Sequence, residues 1–90
     1  MRSLIITIKG KVQKIGLRHS VFELAKKMEL KGEVQNMGSD QIMITLQGHD
    51  LKAEAFIAHL KKSNTRLQIE NFEVTEKDLP SFTTFSIIEN

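Results

Sequence analysis

The chain has 90 residues, 40% hydrophobic and 27% charged, which suits one small globular domain spanning residues 1–90 and excludes a disordered or fibrous composition. It contains no cysteine, so a disulfide framework and a thiolate metal site are both out of reach, and a cytoplasmic setting is expected. The formal net charge of +2 argues against a nucleic-acid partner, and the apolar run in MRSLIITIKG is too short for a membrane span and lacks a cleavage signal, so neither membrane attachment nor export is expected.

Residues 3 to 9 alternate, with Leu4, Ile6 and Ile8 on one face and Ile5, Thr7 and Lys9 on the other, and their β-branched character predicts a strand. From Leu17 the apolar residues fall at Leu17, Val21, Leu24, Ala25 and Met28, the spacing of one helical face. A first helix is predicted over about 18–30, with Gly32 as its stop. Gly32 to Met37 reads as a short strand. Gly38-Ser39-Asp40 then supplies turn chemistry before an alternating run with Ile42, Ile44 and Leu46 on one face, which makes a hairpin. Asp50 is the expected N-cap of a second helix whose apolar face is Leu51, Ala53, Phe56, Ile57 and Leu60, ending near Lys62-Ser63. Leu67 and Ile69 alternate in one phase and Phe72 and Val74 in the other, which predicts a bulge between Ile69 and Phe72. After the single proline, Pro80, the residues Phe82, Phe85 and Ile87 predict a short edge strand.

The order β-α-β-β-α-β with a terminal strand predicts an α+β fold, a ferredoxin-like sandwich of two helices packed on one antiparallel sheet with a short fifth strand. In that winding the first and second strands run the same way, so the segment Gly10–Arg18 and the end of the second strand near Asn36 become neighbours. The charges are also unevenly placed. Met1 to Phe22 holds Arg2, Lys9, Lys11, Lys14 and Arg18 and no acid, whereas Glu70 to Asn90 holds Glu70, Glu73, Glu76, Asp78 and Glu89 against Lys77. A cleft in the N-terminal quarter would focus positive potential on an anion.

The segment GKVQKIGLR, residues 10 to 18, leaves a strand and enters a helix N-terminus, where unpaired backbone N–H groups and the helix dipole favour an anion. Gly16 permits close backbone approach, and Arg18 adds a planar fork able to grip two phosphate oxygens. An ordinary surface turn with a solvated arginine fits the same residues. The segment is neither a Walker loop nor a dinucleotide fingerprint.

Two motifs in register resemble those of the acylphosphatases. Gly10-Lys-Val12-Gln13-Lys14-Ile15-Gly16-Leu17-Arg18 is similar to the family's Gly-x-Val-Gln-Gly-Val-x-Phe-Arg loop, and Gly32-Glu-Val34-Gln-Asn36 to its Gly-x-Val-x-Asn. The likeness continues through Ile42 and Gly48 to a closing Phe82, Phe85 and Ile87. The resemblance implies a hydrolase of acyl phosphates that needs neither cofactor nor metal and acts as a monomer on a small-molecule acyl phosphate, releasing inorganic phosphate. Arg18 and Asn36 match the family's catalytic arginine and asparagine. The first would bind phosphoryl oxygens together with the segment Gln13, Lys14, Ile15, Gly16 and Leu17, and the second would orient the attacking water.

Four departures stand against that pattern. Lys14 occupies a glycine position; if a positive φ is needed there, lysine costs on the order of 1 kcal/mol, while its ammonium would attract substrate, an effect of opposite sign. Leu17 replaces a phenylalanine, Glu33 an aromatic, and Asp40 a turn glycine. These changes keep open a catalytically impaired module that binds an anion or an acidic partner. An RNA-binding sheet of the same element order is disfavoured, because Tyr and Trp are absent and Gln41 to Gln47 contains no Phe. His19 is expected to be a partly exposed helix residue, and His49 and His59 lack the spacing of a metal site.

Overall fold

The structure, a computed structural model, describes residues 1–10, 16–62 and 69–88. Along them run β1 (Arg2–Gly10), α1 (Leu17–Lys27), β2 (Lys31–Met37), β3 (Gln41–Gln47), α2 (Asp50–Lys62), β4 (Ile69–Asp78) and β5 (Phe85–Ile88). The strands form one sheet in the order β4-β1-β3-β2-β5. β1 pairs antiparallel with β3 and β4, and β2 pairs antiparallel with β3.

Strand alternation sorts side chains onto two faces. Ile6, Ile44 and Val34 lie in one cross-strand row and are each fully buried; Ile8 and Ile42 share the next row and are buried as well. Against this face α1 contributes Leu17, Val21 and Ala25, and α2 contributes Ala53, Phe56 and Leu60, making one core cluster that also takes in Phe85 of β5. The architecture is the expected ferredoxin-like α+β sandwich, with one refinement. β5 pairs parallel with β2, so the sheet is mixed. The reason is positional: β4 ends at Asp78 opposite Arg2, and β5 starts at Phe85 opposite Gly32, two rows further in at the same end of the sheet. The chain crosses beneath the strands and has only the upward direction left.

Three local details differ from the sequence expectation. α1 stops at Lys27, because Glu29 adopts a left-handed conformation, φ 59. The Glu29 N–H donates to Lys26 O at 3.1 Å and the Leu30 N–H to Ala25 O at 2.9 Å, the paired bonds of a Schellman ending. Gly32 is therefore not the stop. It lies within β2, where a Cβ would collide with the Thr45 carbonyl of β3. In α2 the cap is His49 and not Asp50: its carbonyl accepts from Ala53 N–H at 3.0 Å and its Nδ1 from Leu51 N–H at 3.2 Å. Asp50 instead meets Arg2. Leu51 is 69% exposed, outside the face defined by Ala53, Phe56, Ile57 and Leu60, because it sits two residues, about 200° of helix, before Ala53.

The phase change expected in the fourth strand is present. Lys9 faces Asn71 while Gly10 faces Ile69, so Glu70 is the extra residue of a bulge. Leu67, expected in the same strand, lies outside the described residues.

Candidate active site

β1 and β2 each run antiparallel to β3, so they are parallel to each other and end at the same edge of the sheet. Lys9 and Met37 both face Gln41 there. One row inward, Ile8, Ile42 and Asn36 align across the three strands. Cross-strand partners point to the same face, and Ile8 and Ile42 are buried in the core, so Asn36 projects on the helix-bearing side, about 10 Å from Ile8 by strand spacing. Its Oδ1 is withdrawn from solvent.

α1 starts at this same edge. It begins seven residues beyond the end of β1 and packs on β2 and β5, which brings its N-terminus above the strand that carries Asn36. Its N-cap, Gly16, is left-handed with φ 59 and ψ 30, offers no side-chain cap, and is followed by a first turn free of acids. Most helix starts place Ser, Thr, Asp or Asn at the cap and acids behind it. Here the only charge in the first turn of α1 is that of Arg18, half-buried beside the buried Leu17. The helix start thus presents backbone donors and one guanidinium, with no acidic residue in its own first turn.

α2 reaches the same edge with its other end. Arg2 at the start of β1 pairs with Asp50 at the start of α2, and Lys61 in the last turn lies 5.4 Å from the ring centre of Phe72, which faces Ile8. The carbonyl end of α2 would oppose an anion. Lys61 and Lys62 in its last turn offset that partial negative charge.

The backbone around the site is held at both described ends of the intervening segment. Gly10 N–H donates to Asp40 O at 2.8 Å, tying the end of β1 to the β2–β3 turn, and Ser20 N–H donates to Gly16 O at 3.0 Å, closing the first turn of α1. The first bond has no sequence signal beyond the hairpin itself. Of the residues expected at the site, Arg18, Asn36, Gly16 and Leu17 are placed by the structure. Gln13, Lys14 and Ile15 lie outside the described residues. His19 is exposed on α1, and no three of His, Asp and Glu among the described residues group as a metal site would require.

The acylphosphatase family model matches residues 4–87. An acylphosphatase of Methanospirillum hungatei is 31% identical over 97% of both chains. The crystal structure of the acylphosphatase from Bacillus subtilis superposes with a TM-score of 0.88 at 28% identity, covering 99% of this chain and all of that one. The structure of full-length HypF in its phosphate- and nucleotide-bound form gives a TM-score of 0.90 at 32% identity, covering 98% of this chain but 12% of HypF. The chain belongs to the acylphosphatase family.

Proposed function

We propose that the protein hydrolyses acyl phosphates, the mixed anhydrides of a carboxylic acid and phosphate, to carboxylate and inorganic phosphate. The observation that carries this reading is the meeting, at one sheet edge, of an acid-free helix start bearing Arg18 with a strand bearing Asn36 on the same face. The phosphoryl group would sit at the N-terminus of α1. Arg18 supplies a charge that persists at every physiological pH and two parallel donors, while the backbone N–H groups of the segment through Leu17, with Gln13, Lys14, Ile15 and Gly16, supply the rest of the cradle.

Asn36 holds a water against phosphorus opposite the acyl oxygen. Attack forms one P–O bond, the P–O bond to the acyl group breaks, the carboxylate leaves with its electron pair, and the water's proton passes to a phosphate oxygen. Neither Arg18 nor Asn36 acts as a base at neutral pH. An acyl phosphate has a good leaving group, so placement and charge stabilisation carry most of the rate. The same reading takes the protein as a cytoplasmic monomer working without a cofactor.

Hydrolysis of benzoyl phosphate tests it. Wild type should turn over well above buffer, and Arg18→Ala should cut kcat/KM by about 10²–10³-fold, as loss of a donor to developing charge does. Arg18→Lys should recover little, because an ammonium lacks the fork. Asn36→Ala should lower kcat with little change in KM. Folded wild-type protein that fails to exceed buffer would reject the enzyme, and retained phosphate binding in that case would leave the anion-binding module.

A further inference from the structure

The β2–β3 turn joins the two halves of the site. Asn36 lies two residues before Gly38, and Asp40, whose carbonyl receives the Gly10 N–H at 2.8 Å, lies two residues after it. Gly10 is the residue from which the anion-binding segment departs, and it is fixed from its other side as well, facing Ile69 across the Glu70 bulge. The spacing between the Asn36 carboxamide and Gly10 is therefore held twice, by the pairing of both strands with β3 and, beyond the last paired residue Gln41, by this short turn.

Gly38 decides the shape of that turn. Its φ is 71, in the left-handed region, and a Cβ added there would meet nothing within 4 Å. The first atom of a side chain at this position therefore acts through the backbone dihedral and not through a collision. β-branched residues are strongly disfavoured in that region and asparagine is tolerated.

We propose that Gly38 is a positioning residue for the hydrolysis: through the Asp40 carbonyl it holds Gly10, the last described residue before the anion-binding segment, in register with Asn36. This rests on the reading of the site as an acyl phosphate hydrolase. A misplacement of about 1 Å between reacting groups costs on the order of 10²-fold in rate, so a turn forced into another type lowers kcat while the cradle and Arg18 still hold phosphate.

The test compares wild type, Gly38→Val and Gly38→Asn, each at a temperature where its circular dichroism shows it folded. Three quantities are read: amide hydrogen exchange at Gly10, kcat on benzoyl phosphate, and inorganic phosphate affinity from amide shifts. The expected result is that Gly38→Val loses protection at Gly10 and falls to about a tenth of the wild-type kcat or lower, with phosphate affinity changed less than about threefold, and that Gly38→Asn restores protection and rate together. Protection at Gly10 unchanged in Gly38→Val, or lost with kcat unaltered, overturns the proposal. So does a Gly38→Asn variant that regains protection without regaining rate. A wild type inactive on benzoyl phosphate overturns the hydrolase reading, and this proposal with it; a wild type that is active beside an unaffected Gly38→Val overturns the positioning role alone.

Discussion

Glu29 ends α1 in a conformation that suits glycine. A left-handed residue with a Cβ costs roughly 1 kcal/mol, and the ion pair of Glu29 with Lys52 at 3.2 Å, with Glu29 81% exposed, returns little. Glu29→Gly should therefore raise stability by about 0.5–1 kcal/mol, read as a higher denaturant midpoint at constant slope. Gln47 is the opposite case, a residue whose polarity is fully used. It is 2% exposed; its Nε2 donates to Ser3 Oγ at 2.8 Å and Pro80 O at 2.9 Å, and its Oε1 accepts from Phe82 N–H at 2.8 Å. These bonds pin the segment that carries the chain from β4 to β5. Gln47→Leu keeps the volume and orphans the Pro80 carbonyl and the Phe82 N–H, so it should destabilise by about 2 kcal/mol or more, visible in urea unfolding. Neither residue announces itself in the sequence. Glu29 reads as an ordinary helical acid, and Gln47 as the polar end of an alternating strand.

At the scale of elements, amphipathic spacing locates the helices well and their ends poorly. α2 shows why. Ala53, Phe56, Ile57 and Leu60 keep the period that faces the core, and Leu51, apolar by type, falls on the solvent side. Phe56→Ala should cost about 3–5 kcal/mol by leaving a cavity beneath fully buried atoms, whereas Leu51→Ala should move stability by less than about 0.5 kcal/mol; thermal unfolding of the two variants separates them. The cap of α2 shifts by one residue for a related reason. Asp50 is the better cap by type, but Arg2 of β1 draws its carboxylate away, and the His49 ring takes up the Leu51 N–H. The first strand, the hairpin and the bulge at Glu70 were legible, because period-two alternation and its interruption depend on residues close in the chain. The parallel entry of β5 was not, because it depends on where β4 happens to end.

Across the whole molecule the two charge sets meet at the start of β1, where Arg2 pairs with Glu76 and the N-terminal ammonium with Asp78. The acids Glu70, Glu73, Glu76 and Asp78 line edge strand β4, where they also discourage pairing with another strand. Arg18, Lys61 and Lys62 gather at the edge where β1 and β2 end. If that edge draws in a dianionic substrate, KM for benzoyl phosphate should rise as salt goes from about 0.01 M to about 0.15 M, where the screening length falls from about 30 Å to about 8 Å, with kcat nearly constant. A KM indifferent to salt would remove long-range attraction from the account. No helix among the described residues is long and apolar enough to cross a membrane.

The sequence by itself determined the element order, the inward faces of β1, β3 and α1, and the two motifs that carry Arg18 and Asn36, since each is written in spacings of a few residues. Tertiary structure decided what brings those motifs together. Two strands far apart in the chain had to flank β3 before their ends could share an edge, and a carbonyl at Asp40 had to meet an amide at Gly10 thirty residues earlier. Hydrogen bonds between backbone groups are blind to side-chain identity, so a sequence records the strands that make them and leaves the particular partners to the fold.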